Sequence, residues 1–230
     1  MNPATQELQA QRTRAAELSG GISSNVIYAA IERVIAARDL RGAVLDYGAG
    51  VGDLTRRLVR LNRFDSVSAA DILRRPAGLD QVNWIEQDLN EPMRGHDGAF
   101  DVVVAAEVIE HLENPRFTVR EIAGLLKPGG TAIVSTPNNE SWRSFVALLV
   151  RGHYAAFGAL SYPAHITALL RKDFSRIFAE AGLDAPVFYF TGDGGIPGKP
   201  SVTWQKVSFG LLRGLRFSDN VIAVAQKPKQ

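Results

Sequence analysis

Three glycines in one bend, followed by two acidic residues at regular intervals, carry most of the chemical information in this sequence. The segment VLDYGAGVGDL, Val44 to Leu54, has the pattern of a buried strand that ends in the bend and leads into a helix. Glycine lets a backbone turn sharply and approach a ligand closely, as a nucleoside-binding loop requires. The bend could equally be a tight turn without a ligand, because a glycine-rich loop alone is weak evidence.

The two acids strengthen the first interpretation. Asp71 ends the next strand pattern, a position from which an acid can accept hydrogen bonds from ribose hydroxyls in a doubly wound fold. Asp88, in QDLNEP after the third strand pattern, could hold an adenine amino group. Either acid could be a simple cap at a strand end. The loop and both acids in this order favour a nucleoside site.

The glycine spacing indicates which nucleoside cofactor is expected. Dinucleotide sites use G-x-G-x-x-G, and the helix that follows holds pyrophosphate at its N-terminus. In Gly48-Ala49-Gly50-Val51-Gly52 the third glycine comes one residue early, and Asp53 would place a negative charge beside the pyrophosphate. The spacing therefore disfavours NAD and suits a nucleoside cofactor without phosphates, although a nicotinamide-dependent oxidoreductase stays an alternative.

The elements that position these residues follow an alternation of strands and helices. Such βαβ alternation predicts a parallel sheet covered by helices on both faces, a Rossmann-like α/β fold. Helices are predicted from Ser24, from Pro115 with Asn114 as its cap, and through Phe174 to a stop at Gly182. Strands are predicted at 43–47, 66–71, 82–86, 100–106, 130–136, 186–191 and 220–226. The segment 191–200 is predicted to be a loop, and 141–170 is irregular and rich in aromatic residues.

Length and composition narrow the class further. The 230 residues suit one domain with a sizeable core, and a formal net charge of +2 without a basic block disfavours a nucleic-acid partner. The absence of cysteine excludes disulfides and cysteine nucleophiles. The first twenty residues are too polar for a secretory signal, so we expect a soluble, cytoplasmic protein with at most peripheral membrane contact.

The combined motifs resemble the class I S-adenosylmethionine-dependent methyltransferases, in particular the ubiquinone-biosynthesis O-methyltransferase branch. Those motifs are VLDYGAGVGDL, Asp71, QDLNEP, FDVVVAAEVIEHLENP and LLKPGGTAIVSTPN, which cover residues 43–138, with a looser similarity in AHITALLRKDFSRIFAEAGL. The resemblance implies S-adenosylmethionine as cofactor and a seven-stranded, mostly parallel sheet whose last strand is antiparallel. We expect an N-terminal helical extension over 1–40 and a methyltransferase domain over 41–230, with 141–170 as an acceptor lid.

The resemblance also implies roles for individual positions. The glycine loop would pack against the methionine part of the cofactor. The acid at the end of the second strand would hold the ribose, and the acid in QDLNEP would contact the adenine. Ala106 and Glu107 match positions beside the sulfonium. The implied cofactor-binding residues are Asp46, Gly48, Gly50, Asp71, Ile72, Asp88, Leu89 and Ala106.

Methyl transfer from a sulfonium needs alignment more than catalytic groups, although a base helps when the acceptor is a hydroxyl. His111 in EVIEHLENP is the first candidate base, or it merely hydrogen-bonds the nearby turn. His165 is a second candidate or a surface residue, because Leu170 and Arg171 replace the Ser or Thr cap that family members often carry. Glu107 and Glu110 are carboxylate alternatives. No compact acidic cluster is visible in the sequence, so no metal site is predicted. Binding of magnesium by residues that are distant in the sequence stays an open alternative.

The sequence leaves the acceptor unidentified. The aromatic segment 141–170 could form a lid over a hydrophobic acceptor, touch a membrane or simply pack beneath a long loop. We expect a small-molecule acceptor, with O-methylation of a metabolite or lipid-like compound favoured over N- or C-methylation. The alternative, from a different functional class, is a cofactor-binding module without transferase activity. The oligomeric state is left open.

Overall fold

A computed structural model describes residues 3–229. The described part of the chain contains nine strands and seven α-helices. The strands are β1 (Gly42–Tyr47), β2 (Phe64–Asp71), β3 (Asn83–Glu86), β4 (Phe100–Ala106), β5 (Leu126–Pro137), β6 (Val187–Phe190), β7 (Gly195–Ile196), β8 (Lys199–Thr203) and β9 (Asn220–Gln226). The helices are α1 (Pro3–Ser19), α2 (Asn25–Ala37), α3 (Asp53–Arg60), α4 (Pro115–Leu125), α5 (Trp142–Arg151), α6 (Arg171–Glu180) and α7 (Trp204–Val207).

Seven of these strands form one twisted sheet in the order β3-β2-β1-β4-β5-β9-β6. The pairs among β1 to β5 are parallel, whereas β9 runs antiparallel to both β5 and β6. The predicted seven-stranded, mostly parallel sheet with an antiparallel last strand is therefore confirmed. Because the strand order reverses between β1 and β4, the carboxyl ends of these strands border the crevice in which open α/β sheets bind ligands.

The two faces of the sheet carry separate apolar cores, as alternation of side chains along each strand requires. On one face Tyr47 and Val103 pack with α4 and α6, which contribute Ile122 and Phe174. On the other face Val44 and Val102 pack with α2 and α3, which contribute residues such as Ile31. Helix α2, within the predicted N-terminal extension, thus belongs to the same packed body as the sheet. The ends of the predicted domains, residues 1, 2 and 230, lie outside the described residues.

Two of the predicted helices begin with a side-chain cap, of which Asn114 was the one predicted. The Ser24 hydroxyl accepts a hydrogen bond from the backbone N–H of Ile27, and the Asn114 side chain accepts one from Phe117 at 3.0 Å. Each cap satisfies one of the N–H groups that a helix leaves unpaired at its start. The local sequence is sufficient to set these helix starts.

Three segments differ from the sequence-based expectation. The segment 141–170, predicted to be irregular, contains the ten-residue helix α5. The prediction of a loop over 191–200 is wrong in part, because β7 and β8 form a two-stranded hairpin there. Gly195 makes the hairpin possible, since a Cβ on it would lie 2.9 Å from the Cα of Pro200. Strand β5 begins at Leu126, four residues before the predicted start, because Leu126 pairs with Phe100 ahead of a register shift. Over residues 3–229, no helix combines the length and the apolar character needed to span a bilayer.

Candidate functional site

A cavity of about 470 Å³ opens at the carboxyl ends of β1, β2 and β4. Helix α1, the connection from α1 to α2 and the segment 163–166 close its other sides. All the predicted cofactor-binding residues and three of the four candidate catalytic residues line this one cavity: Asp46, Gly48, Gly50, Asp71, Ile72, Asp88, Leu89, Ala106, Glu107, His111 and His165. The fourth candidate, Glu110, is not on the cavity wall. The structure thus brings all of these residues together, while the role of each stays a prediction.

The glycine loop is closely packed on two sides. Gly48 has φ 86°, and a Cβ on it would lie 2.3 Å from a methyl carbon of Val108. Gly50 has φ 54°, and a Cβ on it would lie 2.2 Å from the carbonyl oxygen of Gly21. Positive φ and close backbone approach both demand glycine. At Gly50 the neighbour that excludes a side chain is the α1–α2 connection of the chain itself.

Asp46 lies at the end of β1 with only 1% of its surface exposed. Its carboxylate accepts a 2.6 Å hydrogen bond from the hydroxyl of Thr55. Burial raises the pKa of Asp46 to about 7, and the negative charge of Asp71 adds to the effect. Asp46 therefore changes protonation near neutral pH and can present either a donor or an acceptor to the cavity.

Asp71 anchors the turn after β2. One carboxylate oxygen accepts a 2.7 Å hydrogen bond from the N–H of Gly50, and the other accepts a 2.8 Å bond from the N–H of Leu73. Burial raises the pKa of Asp71 despite these two bonds. Each carboxylate oxygen can accept more than one hydrogen bond, so Asp71 can still receive two hydroxyl groups from a ligand in the cavity.

The acid predicted to contact adenine has a partner that the sequence did not reveal. Nη1 of Arg12 in α1 lies 2.9 Å from Oδ2 of Asp88, and it also contacts Glu91 at 3.1 Å. The same guanidinium binds both carboxylate oxygens of Glu113 at 2.9 Å. Hydrogen bonds from Arg12 lower the pKa of Glu113. No local pattern in the sequence marks this pairing, because its partners are 76 to 101 residues apart.

Glu107 stands directly after β4 with φ 55°, an uncommon conformation for a residue that is not glycine. Its two carboxylate oxygens accept hydrogen bonds from the Ser135 hydroxyl at 2.8 Å and from Nδ2 of Asn220 at 2.7 Å. Burial raises the pKa of Glu107 to about 7. Strained backbone conformations persist where the surrounding structure holds them, often at functional sites.

The two candidate histidines lie edge to face with ring centroids 4.8 Å apart. Nδ1 of His111 lies 2.9 Å from the carbonyl oxygen of Ala164, which can only accept, so we assign the proton to Nδ1. Nε2 of neutral His111 then carries a free lone pair. Burial, together with the neighbouring His165, lowers the pKa of His111 to about 4. His111 is therefore neutral throughout the physiological range.

A buried acid lies behind this pair. Glu110 is fully buried, and its Oε2 accepts a 3.2 Å hydrogen bond from the Thr136 hydroxyl. Within the described chain, Oε1 of Glu110 and Nδ1 of His165 are buried without a hydrogen-bond partner. Burial, together with the charge of Glu107, raises the pKa of Glu110 well above its ordinary value. Glu110 therefore keeps its proton to a higher pH than a solvent-exposed glutamate does.

Glu110, His111 and His165 each offer one ligand-type atom, and these atoms lie within 4.8 Å of one another. The structure thus reveals a compact group that the sequence did not show. Magnesium prefers a shell of oxygens, so two imidazoles and one carboxylate do not fit it. Such a set suits a divalent ion that accepts nitrogen ligands, such as Zn²⁺. The Zn–N and Zn–O bonds of about 2.0 to 2.2 Å would require these ligand atoms to move closer together.

The charges that line the cavity indicate which ligand it accepts. Five carboxylates face it, and among the described residues Arg12 is the one lysine or arginine on its wall, already paired with acids. Such a wall repels phosphates and favours a cationic group. The carboxylates are Asp46, Asp71, Asp88, Glu107 and Glu113. A nucleoside cofactor that carries a sulfonium and no phosphate fits these residues.

The fold and this cavity define the class I, S-adenosylmethionine-dependent methyltransferases. Residues 12–185 match the family model described as "Methyltransferase domain". The chain therefore belongs to the methyltransferase domain family, an enzyme family whose methyl donor is S-adenosylmethionine. Membership confirms the class and the cofactor predicted from the sequence.

Curated relatives carry the name ubiquinone biosynthesis O-methyltransferase. The protein of that name from Xanthomonas oryzae pv. oryzae is 35% identical over 163 residues, which are 62% of this chain and 66% of the relative. The one from Escherichia fergusonii is 34% identical over 109 residues, which are 43% of this chain and 45% of the relative. The chain thus spans about half to two thirds of the length of the curated relatives it matches.

Solved structures share the fold at low sequence identity. A SAM-dependent methyltransferase from Archaeoglobus fulgidus is 17% identical with a TM-score of 0.63, covering 92% of this chain and 97% of that one. The 1,6-didemethyltoxoflavin-N1-methyltransferase of Burkholderia thailandensis, solved with bound 1,6-didemethyltoxoflavin and S-adenosylhomocysteine, is 15% identical with a TM-score of 0.63. The match covers 100% of this chain and 92% of that one. These structures confirm the Rossmann-like architecture.

Proposed function

We propose that this protein transfers the methyl group of S-adenosylmethionine to a hydroxyl of a small, hydrophobic acceptor. The observation that carries the proposal is the single cavity lined both by the predicted cofactor residues and by Glu107, His111 and His165. A cofactor and an acceptor that share one enclosed space meet without leaving the protein. The names of the curated relatives support oxygen as the atom that receives the methyl group.

Asp71 would hold the ribose, Asp88 and Leu89 the adenine, and the bend at Gly48 the methionine part. S-adenosylmethionine supplies, when bound, a methyl group already activated by the positive sulfur. The residues of this chain then have to orient the acceptor, exclude water and take up the hydroxyl proton.

His111 is our proposed base. Its Nδ1–H is fixed by the carbonyl of Ala164, which leaves Nε2 free to receive the proton of the acceptor hydroxyl. Glu107 is the alternative base, since its pKa of about 7 is closer to the optimum for proton transfer at neutral pH. Both oxygens of Glu107 already hold hydrogen bonds, which favours a role in orienting the site over a role as base.

The acceptor side of the cavity is formed by residues 163–166, at the end of the segment predicted to be a lid. Ile22 and Leu112 add apolar surface to the cavity wall. An apolar wall with a few polar groups is typical of pockets for small hydrophobic molecules. A phenol or catechol with an apolar substituent matches this lining and the need for an ionisable hydroxyl.

The test is incubation of purified protein with methyl-labelled S-adenosylmethionine and separate phenolic, amine and activated-carbon acceptors. We expect labelled product and stoichiometric S-adenosylhomocysteine only with phenolic or catecholic acceptors. Label on nitrogen or carbon would overturn oxygen as the acceptor atom. Tight S-adenosylmethionine binding in calorimetry without S-adenosylhomocysteine, even with cell extract as the acceptor source, would favour a non-catalytic binding module.

A further inference from the structure

The carboxylate of the cofactor's methionine part needs a partner in a cavity whose wall is acidic. Five carboxylates face the cavity, and among the described residues Arg12 is the one lysine or arginine on its wall. Arg12 pairs with Asp88, Glu91 and Glu113, beside the predicted adenine position. A carboxylate that leaves water without a counter-ion needs hydrogen-bond donors in its place. Uncharged donors at the methionine end are therefore required.

The connection from α1 to α2, residues 20–24, crosses the glycine bend at that end of the cavity. The carbonyl of Gly21 accepts a 3.2 Å hydrogen bond from the N–H of Val51. The hydroxyl of Ser23 donates a long, 3.4 Å hydrogen bond to the carbonyl of Ala106 at the end of β4. The connection therefore lies between the bend expected to contact the methionine part and the strand end expected beside the sulfonium.

Tyr28 presents a hydroxyl to this connection. The residue lies near the start of α2, lines the cavity and is only 5% exposed. Its oxygen accepts a 2.9 Å hydrogen bond from the N–H of Ser23. Within residues 3–229 no acceptor receives the proton of this hydroxyl. Because buried hydroxyl groups normally donate as well as accept, Tyr28 has a donor available for a ligand in the cavity.

The ring of Tyr28 is held in place by its neighbours. The guanidinium of Arg57 lies over the ring, 5.4 Å from its centroid. Arg57 is itself fixed by Asn25 at 2.8 Å and by Glu32 at 3.1 Å. Burial raises the pKa of Tyr28, so the hydroxyl keeps its proton at physiological pH. A donor that is fixed before the ligand arrives loses little conformational freedom on binding.

Other hydroxyl and amide donors on the cavity wall are already engaged. Ser19 donates to the carbonyl of Ala16 at 2.7 Å, and the amide of Asn90 donates to the Asp88 carboxylate at 3.2 Å. The 3.4 Å hydrogen bond of Ser23 is weaker, because it is longer than the usual range for a hydroxyl donor. Its hydroxyl can therefore turn to a stronger acceptor.

We propose that the Tyr28 hydroxyl donates a hydrogen bond to the carboxylate of the bound cofactor's methionine part, with the Ser23 hydroxyl as a second donor. Hydrogen bonds to a charged oxygen are roughly twice as strong as those between neutral groups. Tyr28 thereby distinguishes a cofactor that carries the carboxylate from one that lacks it, and it takes no part in the methyl transfer itself. The proposal rests on the placement of the methionine part at the Gly48 bend, and it holds for any acceptor.

Calorimetry with two cofactors tests this contact without any acceptor. Decarboxylated S-adenosylmethionine keeps the adenosine, the sulfonium and the amine of S-adenosylmethionine but lacks the carboxylate. Tyr28→Phe should bind S-adenosylmethionine about tenfold more weakly or worse, because it loses a hydrogen bond to a charged group. Its affinity for the decarboxylated cofactor should change by less than about twofold, because no such bond exists there.

Tyr189→Phe is the matched control, because the Tyr189 hydroxyl is bonded to Arg38 and the residue does not line the cavity. This variant should bind both cofactors like the unaltered protein. Equal losses for the two cofactors in Tyr28→Phe would overturn the proposal, since Tyr28 would then only support the N–H of Ser23. Unchanged affinity for S-adenosylmethionine would also overturn it, because the carboxylate would be held elsewhere.

Ser23→Ala tests the second donor and keeps the proposal testable if Tyr28→Phe fails to fold, which its melting temperature would reveal. The variant retains the N–H that bonds Tyr28, and it should lose about fivefold in affinity for S-adenosylmethionine alone. The same loss with both cofactors, or none with either, would contradict the proposal. Failure of the unaltered protein to bind either cofactor would overturn the cofactor site as well, whereas methyl transfer to nitrogen or carbon would overturn only the proposed oxygen acceptor.

Discussion

The guanidinium of Arg12 lies 2.9 Å from the carboxylate of Asp88, and this ion pair ties α1 to the end of the cavity predicted to hold adenine. The side chains are 15% and 9% exposed, so the pair is largely shielded from water. The same arginine also binds Glu113 and Glu91, so one guanidinium pairs with three acids. Helix α1 thereby forms a wall of the cavity rather than a free extension.

Replacing Arg12 should weaken cofactor binding through α1. Arg12→Ala leaves Asp88, Glu91 and Glu113 mutually repelling and releases the helix that covers the cavity. Charge-assisted hydrogen bonds contribute about 1.5–3 kcal/mol each, so we expect an affinity loss of about tenfold or more. Calorimetry and stopped-flow dissociation of S-adenosylmethionine measure it. Arg14→Ala, on the exposed side of α1, is the control, and equal affinities of the two variants would contradict the prediction.

Asp71→Ala should weaken S-adenosylmethionine binding sharply. The substitution removes the predicted acceptor for the ribose hydroxyls and also the acceptor for the N–H groups of Gly50 and Leu73. We expect at least about a tenfold loss for each charged hydrogen bond removed. Asp53→Ala removes an equal charge from the start of α3 and should bind normally. Unchanged affinity in Asp71→Ala would show that the ribose lies elsewhere.

His111→Ala should lower kcat while S-adenosylmethionine affinity is nearly kept. Loss of a general base costs about 10²–10⁴ in rate. His153→Ala, a half-buried histidine that does not line the cavity, is the control. Full activity of His111→Ala would remove this residue from the mechanism.

The pH profile separates His111 from Glu107 as the base. Because burial lowers the pKa of His111 to about 4, a His111 base stays active until pH falls to that value. A Glu107 base would instead lose activity as pH falls through about 7. We expect the acid limb of the kcat/KM profile near pH 4, as a His111 base requires. An acid limb near pH 7 that disappears in the Glu107→Gln variant would identify Glu107 as the base that takes up the acceptor's proton.

Glu110→Gln should leave the free energy of unfolding nearly unchanged at acid pH and raise it at neutral pH. Below the ordinary pKa of a glutamate the carboxyl is protonated in both the folded and the unfolded protein, and glutamine has the same shape. Because the folded-state pKa is raised, stability is complete below the unfolded-state pKa and is lost as pH rises from there through the folded-state pKa, so the variant should be the more stable protein at neutral and alkaline pH. Urea unfolding at both pH values measures this. Glu110→Ala should lose about 1–3 kcal/mol, because the Thr136 hydroxyl loses its acceptor.

A glutamine variant much less stable than the unaltered protein at neutral pH would mean that Glu110 is ionised there. That result would point to a cation bound among Glu110, His111 and His165. Unfolding measured with and without added Zn²⁺ would then distinguish the two explanations.

Gly50→Ala should destabilise the protein because its new Cβ would lie 2.2 Å from the Gly21 carbonyl oxygen. A strained backbone costs about 1–3 kcal/mol, and the clash adds to it. Gly78→Ala is a matched control, since Gly78 has φ 76° and open space around it. The melting temperature should fall more for Gly50→Ala than for Gly78→Ala. Equal falls would show that only the backbone conformation matters.

The sequence by itself determined the sheet, the helix caps and the glycine bend. Strand β4 coincides with its predicted limits, and Asn114 caps α4 as expected, because alternation, apolar periodicity and capping act between near neighbours. The predicted site residues also share one cavity, since the carboxyl ends of parallel strands meet at one edge of the sheet.

Tertiary structure alone decided the pairing of Arg12 with Asp88, the packing of Gly50 on Gly21, and the meeting of Glu110 and His111 with His165. These contacts join residues from 29 to 76 positions apart or depend on the path of irregular segments. No local pattern encodes such a path, because it is set by how the whole chain packs.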